Sequence, residues 1–391
     1  MNYFFKSTES KEIIMSGTAR IQNIHFRRFR SFQDISIQGL GRVNLITGRN
    51  NTGKSSILEG LRILTQNADV NIISKILQFR EEDINQNEED ASVSSNEGLF
   101  QLSTLFHGFP QLEDSMEPIV LKASGEKYSK NLTMTIDWFS EESNGEGGRR
   151  LVHFEPDMFG EPDGIPALSI TIGNHRRDIL LSSFRRFAAY RERVRPDLFD
   201  EPKIECQFVS PYGGERTAPL GLLWDRIALS DKEKDVVEAL QIIDSNISAV
   251  SMVGGEGRRS SRTAIVRAKN LQRPVPLRSY GDGLNRLFGI ILSLVNSSGG
   301  LLLIDEFENG MHYSVQLDTW RAIFKLARNL DIQVFATSHS WDAIEAFQKA
   351  ASETPEDGVL IRLARKNDLI IPTVFSEEEL EIATREGIEV R

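Results

Sequence analysis

The sequence predicts an α/β protein: a largely parallel sheet covered by helices, interrupted along the chain by an inserted α+β lobe. Three observations predict it. A glycine-rich loop, Gly48 to Ser56, stands between an all-apolar strand and a helical apolar pattern. From Gly283 to Ala336, helix and strand patterns alternate, the order that builds parallel sheets. Between these ordered ends lie short strand-like runs separated by loops rich in glycine, serine or acid.

Taken in order, Ile21, Ile24 and Phe26, then Ile35 and Ile37, alternate as half-buried strands do, and Val43, Leu45 and Ile46 mark a strand buried on both faces. Beyond the glycine loop, Ile57, Leu58, Leu61 and Leu64 recur at helical spacing. The stretch 81–98 holds seven acidic residues, no basic ones and no aromatics, and reads as a mobile surface loop. Stretches 141–148 and 253–262 are further loops. Strand-like runs at 132–138, 204–209 and 263–266 make the middle mixed α+β. A helix over 283–295 and a strand over 301–304 follow. Next come an amphipathic helix carrying Leu317, Trp320, Ile323, Phe324 and Leu330, and a strand over 333–336. The expected division is a core from 19–65 and 270–391, a lobe over 66–269, and a disordered leader over 1–18.

The chain of 391 residues carries 46 Lys and Arg against 56 Asp and Glu, a formal charge of -10. That total weighs against a nucleic-acid coat over the whole surface and leaves room for a local basic patch. A single cysteine, Cys206, closes no intramolecular disulfide and builds no cysteine zinc site, so a reduced, cytoplasmic setting is expected. The start of the chain lacks a signal-peptide core, and the longest apolar run, Leu287 to Val295, is far short of a bilayer span, so no membrane is expected.

Gly48-Arg49-Asn50-Asn51-Thr52-Gly53-Lys54-Ser55 fits G-x-x-x-x-G-K-[ST] at every fixed position and has the required strand before it and helix after it, at Ser56. Glycines let backbone N–H groups turn inward on phosphates, and the helix N-terminus adds partial positive charge. Lys54 is expected on the β- and γ-phosphates and Ser55 in the shell of Mg2+, with ATP or GTP as ligand. Leu301 to Ile304 runs into Asp305 and Glu306, and a buried strand delivers such residues to the carboxyl edge where α/β folds bind ligands. Asp305 is expected to hold Mg2+, and Glu306 to orient and deprotonate the water that attacks the γ-phosphate. His339, after the next apolar strand, reaches the same edge and suits a γ-phosphate sensor. Ser279, Gly281 and Gly283 open the preceding helix as a second anion nest. One nucleotide needs one such loop, so the second nest suggests a head-to-tail dimer with shared ATP.

GRNNTGKSS, SYGDGLNRL, LLLIDEFENGMH and FATSHS, in that order, resemble the ABC-type ATPase heads of the SMC, RecF and OLD group, as does the opening phrase FRRFRSFQDISI. GLLWDRIALSDKEKDVVEAL, IDEFENGMHYSVQ and the ending EGIEVR resemble the standalone OLD-like ATPases of bacteria. The resemblance covers about 19–65 and 206–391. It implies a P-loop NTPase fold, Lys54 and Ser55 on phosphate and Mg2+, Asp305 on Mg2+, Glu306 as base and His339 as switch histidine. It also implies Ser279 and Gly281 as the signature acting in trans, and Asn309 to His312 as a loop at the dimer contact. SYGDG departs from the LSGGQ of transporters. The Q-loop glutamine has Gln101 and Gln111 as candidates, and adenine contacts fall to Arg28 through Arg30.

The interval from Lys54 to Ser279 lacks heptads and resembles a globular lobe, unlike the coiled coil of SMC members. Positions 340–391 are too few for the TOPRIM domain of OLD nucleases, and no D-x-D triplet occurs. Resemblance to the ATPases of phage-defence pairs such as PARIS therefore implies a separate effector, of TOPRIM type. Two further readings stand beside it: an ATP-gated scaffold with little turnover, and a RecF-like DNA-repair ATPase. Arginines 176, 177, 185, 186, 191, 193 and 195, with Phe184, Phe187 and Tyr190 between them, fit a groove for DNA or RNA, or equally a helix with a core stripe and a solvated arginine face.

Overall fold

The computed structural model describes residues 20–82, 102–110, 116–144, 148–154, 164–181, 199, 201–211, 217–254, 262–354, 357–375 and 379–382. The first half contains β1 (Asn23–Phe29), β2 (Phe32–Gln38), β3 (Val43–Gly48), α1 (Lys54–Thr65), α2 (Val70–Phe79), β4 (Ile119–Ser124), β5 (Ser129–Asn144), β6 (Gly148–Phe154), β7 (Ile165–Ile172) and β8 (His175–Leu180). The second contains β9 (Cys206–Val209), α3 (Thr217–Ile227), α4 (Asp231–Ile243), β10 (Ile247–Val253), β11 (Thr263–Ala268), β12 (Val275–Pro276), α5 (Leu277–Tyr280) and α6 (Asp282–Val295). It closes with β13 (Leu301–Ile304), α7 (Tyr313–Asn329), β14 (Gln333–Thr337), α8 (Trp341–Ser352), β15 (Gly358–Lys366) and β16 (Leu369–Phe375).

A six-stranded sheet in the order β16-β15-β3-β14-β13-β9 is parallel except for β16, which returns antiparallel to β15. Every residue of β3, β13 and β14 is buried, as expected of parallel strands covered on both sides. The side-chain period of two divides each strand between separate cores. Leu302, Ile304, Val334 and Ala336 face a core shared with α6, α7 and α8, where the Phe307 ring stacks on Trp320 with centroids 3.9 Å apart. Leu301, Leu303 and Phe335 face the other core, with Ile57, Leu61 and Leu64 of α1.

That second core is closed by a seven-stranded sheet in the order β2-β1-β4-β5-β7-β8, with β6 paired to β5. Its pairings are all antiparallel. The helix after the glycine loop is therefore sandwiched between two sheets, with Gly60 against the Phe26 ring, where a Cβ would come within 2.6 Å. A three-stranded sheet, β10-β11-β12, packs with α3 and α4 and leads into α5 and α6.

Strands of the 66–269 stretch divide between these sheets. β4 to β8 extend the sheet that β1 and β2 begin, while β9 pairs in parallel with β13 at the edge of the six-stranded sheet. The expected loop over 141–148 is instead strand on both sides. β5 continues through Asn144 and β6 starts at Gly148, with Glu142 opposite Arg150, because ladder pairing overrides a polar sequence that has no apolar face to announce it. Of the acidic stretch, Glu82 is held by Arg30 at 2.7 Å, and 83–98 lie outside the described residues, as do 1–18, 255–261 and the run from Phe184 to Arg195. Arg176 of the basic segment lies on β8, paired with Asp137 at 2.7 Å and Asp178 at 2.9 Å.

Gly300 abuts the strand edge. A Cβ there would sit 2.2 Å from the carbonyl oxygen of Glu205, which accepts the Leu301 N–H at 2.8 Å. Gly300→Ala should destabilise the fold by about 2 kcal/mol, since neither backbone can retreat without breaking the β9–β13 pairing. Urea unfolding of the variant against the parent measures it, and an unchanged midpoint contradicts it.

Candidate functional site

Three strand ends of the parallel sheet, those of β3, β13 and β14, supply the site. β3 ends at Gly48, with φ 145°, where a Cβ would lie 2.4 Å from the Leu363 carbonyl oxygen of β15. Only glycine passes there. Asn51 and Gly53 adopt left-handed φ of 62° and 85°, and Gly53 caps α1 against the Phe32 ring, 2.6 Å from where a Cβ would be. Thr52 Oγ1 donates to the Arg49 carbonyl at 2.8 Å and closes the turn. The result is a cradle of backbone between Gly48 and Ser56, ending on the N-terminus of α1.

Lys54 folds back over this cradle, its Nζ donating to the carbonyls of Gly48 at 2.8 Å and Arg49 at 3.0 Å. Burial pulls its pKa below the usual lysine value, against the opposing pull of Asp305, Glu308 and Glu306. A desolvated ammonium beside a backbone cradle is suited to phosphate, which supplies the missing negative charge.

Asp305, only 4% exposed, accepts through one oxygen, Oδ1, from Ser55 Oγ at 3.0 Å and from Thr337 Oγ1 at 2.6 Å. Thr337 Oγ1 in turn accepts the Glu306 N–H at 2.8 Å. Glu306 adopts φ 48°, a left-handed conformation that costs a glutamate about 1–2 kcal/mol and turns the chain sharply out of β13. The turn persists because both sides are held. The following Phe307 is anchored in the core, its N–H bonded to the Thr337 carbonyl at 2.9 Å. Arg286 of α6 donates to the carbonyls of Ser210, Asp305 (3.2 Å) and Glu306 (3.4 Å).

Glu308 lies 11% exposed beneath the β14–α8 loop. Its Oε1 accepts the N–H groups of His339 at 2.9 Å and Ser340 at 3.2 Å, and faces His339 Nδ1 at 3.1 Å. Asn309 donates to the Pro211 carbonyl at 2.7 Å, and His312 caps α7. Ser279 is exposed, and Gly281 and Gly283 stand at the junction of α5 and α6. Gly281 is extended, and a Cβ would meet only the Leu284 side chain at 3.5 Å; at Gly283 it would meet only Val315 at 3.7 Å. Among the described residues nothing packed against either position requires glycine there.

Sequence reasoning passed over Thr337, Arg286 and Glu308, although Thr337 and Glu308 lie inside FATSHS and DEFEN. Arg30 departs from its expected adenine contact. It is 3% exposed and bound to Glu59 at 3.0 Å, Glu82 at 2.7 Å and the Thr104 carbonyl at 3.0 Å, so it ties the β1–β2 turn to α1. Arg28 forks onto Glu117. Gln101 and Gln111 lie outside the described residues.

The donors Ser55 Oγ and Asp305 Oδ1 are hard oxygens, as Mg2+ prefers. Among the described residues no group of three or more His, Cys, Asp or Glu could hold a metal unaided.

A glycine-rich loop after β3, two carboxylates after β13 and the loop after β14 at one sheet edge, with α1 clasped between two sheets, make the fold that of a P-loop ATPase head of the ABC type. A solved SMC head bound to the C-terminal winged-helix domain of ScpA superposes with a TM-score of 0.50 at 10% identity, covering 92% of this chain and 99% of that one. The chain belongs to the family described as "AAA domain, putative AbiEii toxin, Type IV TA system", whose model matches residues 43–344. An ATP/GTP phosphatase of Helicobacter pylori is 23% identical over 386 residues, 92% of this chain and 97% of that protein. Among the described residues no helix is long and apolar enough to cross a membrane.

Thr337→Val removes the donor to Asp305 and leaves the Glu306 N–H unpaired, which should cost about 1–3 kcal/mol of nucleotide-free stability. Urea unfolding measures it, and a cost below about 0.5 kcal/mol contradicts the linking role. For Lys54, the folded pKa lies below the unfolded one, so the unfolded chain holds more protons between those values and stability rises with pH across that window. Lys54→Met should flatten that rise in the wild-type-minus-variant difference while abolishing ATP binding by calorimetry. Retained ATP affinity overturns the assignment.

Proposed function

We propose that this protein hydrolyses ATP with Mg2+, that a second copy completes each nucleotide site head to tail, and that this nucleotide-driven assembly controls a separate effector protein. The observation that carries the reading is the continuous run from Ser55 through Asp305 and Thr337 to the Glu306 backbone. Lys54 and the Gly48–Ser56 backbone bind the phosphates, and Ser55 and Asp305 hold Mg2+, which neutralises charge on the phosphate oxygens. Glu306, aimed by its turn, orients the attacking water and accepts its proton. His339 faces the γ-phosphate.

The head-to-tail arrangement draws on Ser279, Gly281 and Gly283. Glycines that their own subunit does not need are explained by close approach of another molecule, and phosphate at the N-terminus of α6 is the ligand that such a nest takes. For a separate effector, support comes from the family description, which names a toxin and a toxin–antitoxin system, and from the SMC head, which carries the domain of another protein. A TOPRIM-type nuclease acting against phage is the effector that the resemblance favours.

Glu306→Gln should lower steady-state phosphate release by about 10²–10⁴-fold while ATP stays bound and assemblies persist. Equal turnover in both proteins defeats the catalytic assignment. Gly281→Asp should leave stability and ATP binding intact and abolish hydrolysis. Mixing it with Lys54→Met restores one composite site per dimer and should recover part of the activity. No recovery at any mixing ratio argues against shared sites.

A further inference from the structure

Two sets of hydrogen bonds run in opposite directions between the loop after β13 and the end of β14. In one, the β13 side donates: the Glu306 N–H reaches Thr337 Oγ1 at 2.8 Å, and the Phe307 N–H reaches the Thr337 carbonyl at 2.9 Å. In the other, the β14 side donates: the N–H groups of His339 and Ser340 reach Glu308 Oε1 at 2.9 Å and 3.2 Å. Glu308 is itself held on both sides. Phe307 before it is stacked on Trp320 in the core, Asn309 after it donates to the Pro211 carbonyl at 2.7 Å, and its own carbonyl accepts the Met311 N–H at 3.0 Å.

Helix capping does not account for this carboxylate. A capping side chain accepts from the second or third residue of the helix it caps. Here α8 starts at Trp341 with Ser340 as its cap residue, and Glu308 takes the N–H groups of the cap and of the residue before it. What Glu308 fixes is the loop that carries His339. A glutamate here also has a cost. Its side chain is 11% exposed, and its second oxygen, Oε2, is buried with no hydrogen-bond partner among the described residues. Its charge joins those of Asp305 and Glu306 around Lys54, which lessens the pull of the cradle on phosphate. In return, an ionised acceptor makes hydrogen bonds about twice as strong as a neutral one.

Resting on the reading of Glu306 as base and His339 as the γ-phosphate contact, we infer that Glu308 is a positioning residue for hydrolysis: its carboxylate locks the loop after β14 to the loop that begins with Glu306, and so holds His339 at a fixed place relative to the base. Glu308 touches neither nucleotide nor attacking water in this role. It acts through the main chain of His339 and Ser340. The glycine loop and Lys54 bind ATP without it, so its effect falls on turnover and not on capture. A displacement of about 1 Å at such a group is enough to cost about 10²-fold in rate.

Phosphate release, and calorimetric binding of the β,γ-imido analogue of ATP, are to be measured in the parent, Glu308→Ala and Glu308→Gln. Glu308→Ala should lower kcat by about 10–100-fold and leave analogue affinity within about threefold of the parent. Glu308→Gln keeps an acceptor oxygen and should recover more than half of that loss on a logarithmic scale. Backbone amide exchange at His339 and Ser340 should speed up in Glu308→Ala, and less in Glu308→Gln. A double-mutant cycle separates positioning from structural support. In a His339→Gln background, Glu308→Ala should lower kcat by no more than about twofold, since the group it positions is gone, while its effect on the urea midpoint stays the same. An equal kcat loss in both backgrounds, a kcat in Glu308→Ala within about twofold of the parent, or lost affinity in place of lost turnover overturns the proposal. Turnover that is present in the parent and lost in Glu306→Gln leaves the ATPase reading standing in each of those cases. No phosphate release from the parent defeats that reading, and the positioning role with it.

Discussion

Asp305 Oδ1 accepts from both Ser55 and Thr337, so a single carboxylate oxygen at the end of β13 joins the first turn of α1 to the end of β14. A carboxylate with so little exposure is tolerable only with its hydrogen bonds made, and here both donors come from other elements. The consequence runs outward. Ser55 ties the first turn of α1 to the end of β13, Thr337 holds the Glu306 backbone, and Glu306 can keep its left-handed turn because Phe307 and Arg286 hold the residues around it.

The parallel sheet carries a hydrophobic core on each of its two faces. On one side, α1 lies under the antiparallel sheet, and Glu59, one turn beyond Ser55, binds both Arg30 and Arg80. On the other side, α6 reaches the site through Arg286. The start of α1 is thus tied to the β1–β2 turn, and α6 is tied to the residues after β13, by buried guanidinium groups. These ties are costly to break because losing one partner leaves a buried charge.

The chemistry-bearing parts were legible because their residue types are rare combinations in a demanding context: GRNNTGKSS after a buried strand, and four apolar residues running into Asp305 and Glu306. Parallel strands buried on both faces announce themselves as apolar runs, which is why β3, β13 and β14 were placed nearly to the residue. β15, β16 and α8 were not anticipated, since their patterns mix exposed charge with apolar positions and their placement depends on pairing with β3, far away in the chain. The strand residues at 141–144 and 148 were misread as loop because their sequence is polar and carries no apolar alternation, although β5 and β6 pair locally. Thr337 escaped notice because a threonine at a strand end is ordinary in composition; only the folded geometry puts its hydroxyl between Asp305 and the Glu306 N–H. Arg30 misled in the opposite direction, since resemblance suggested a ligand contact where the structure uses the charge to brace α1.

Glu306 shows what its position costs. Asparagine or glycine accepts φ 48° more readily than glutamate does. A mutant library sorted by thermal resistance or expression alone will therefore enrich replacements here and discard the carboxylate. On the role proposed for Glu306, any effort to harden this protein by selection has to score turnover in the same round, or it will keep the fold and lose the carboxylate.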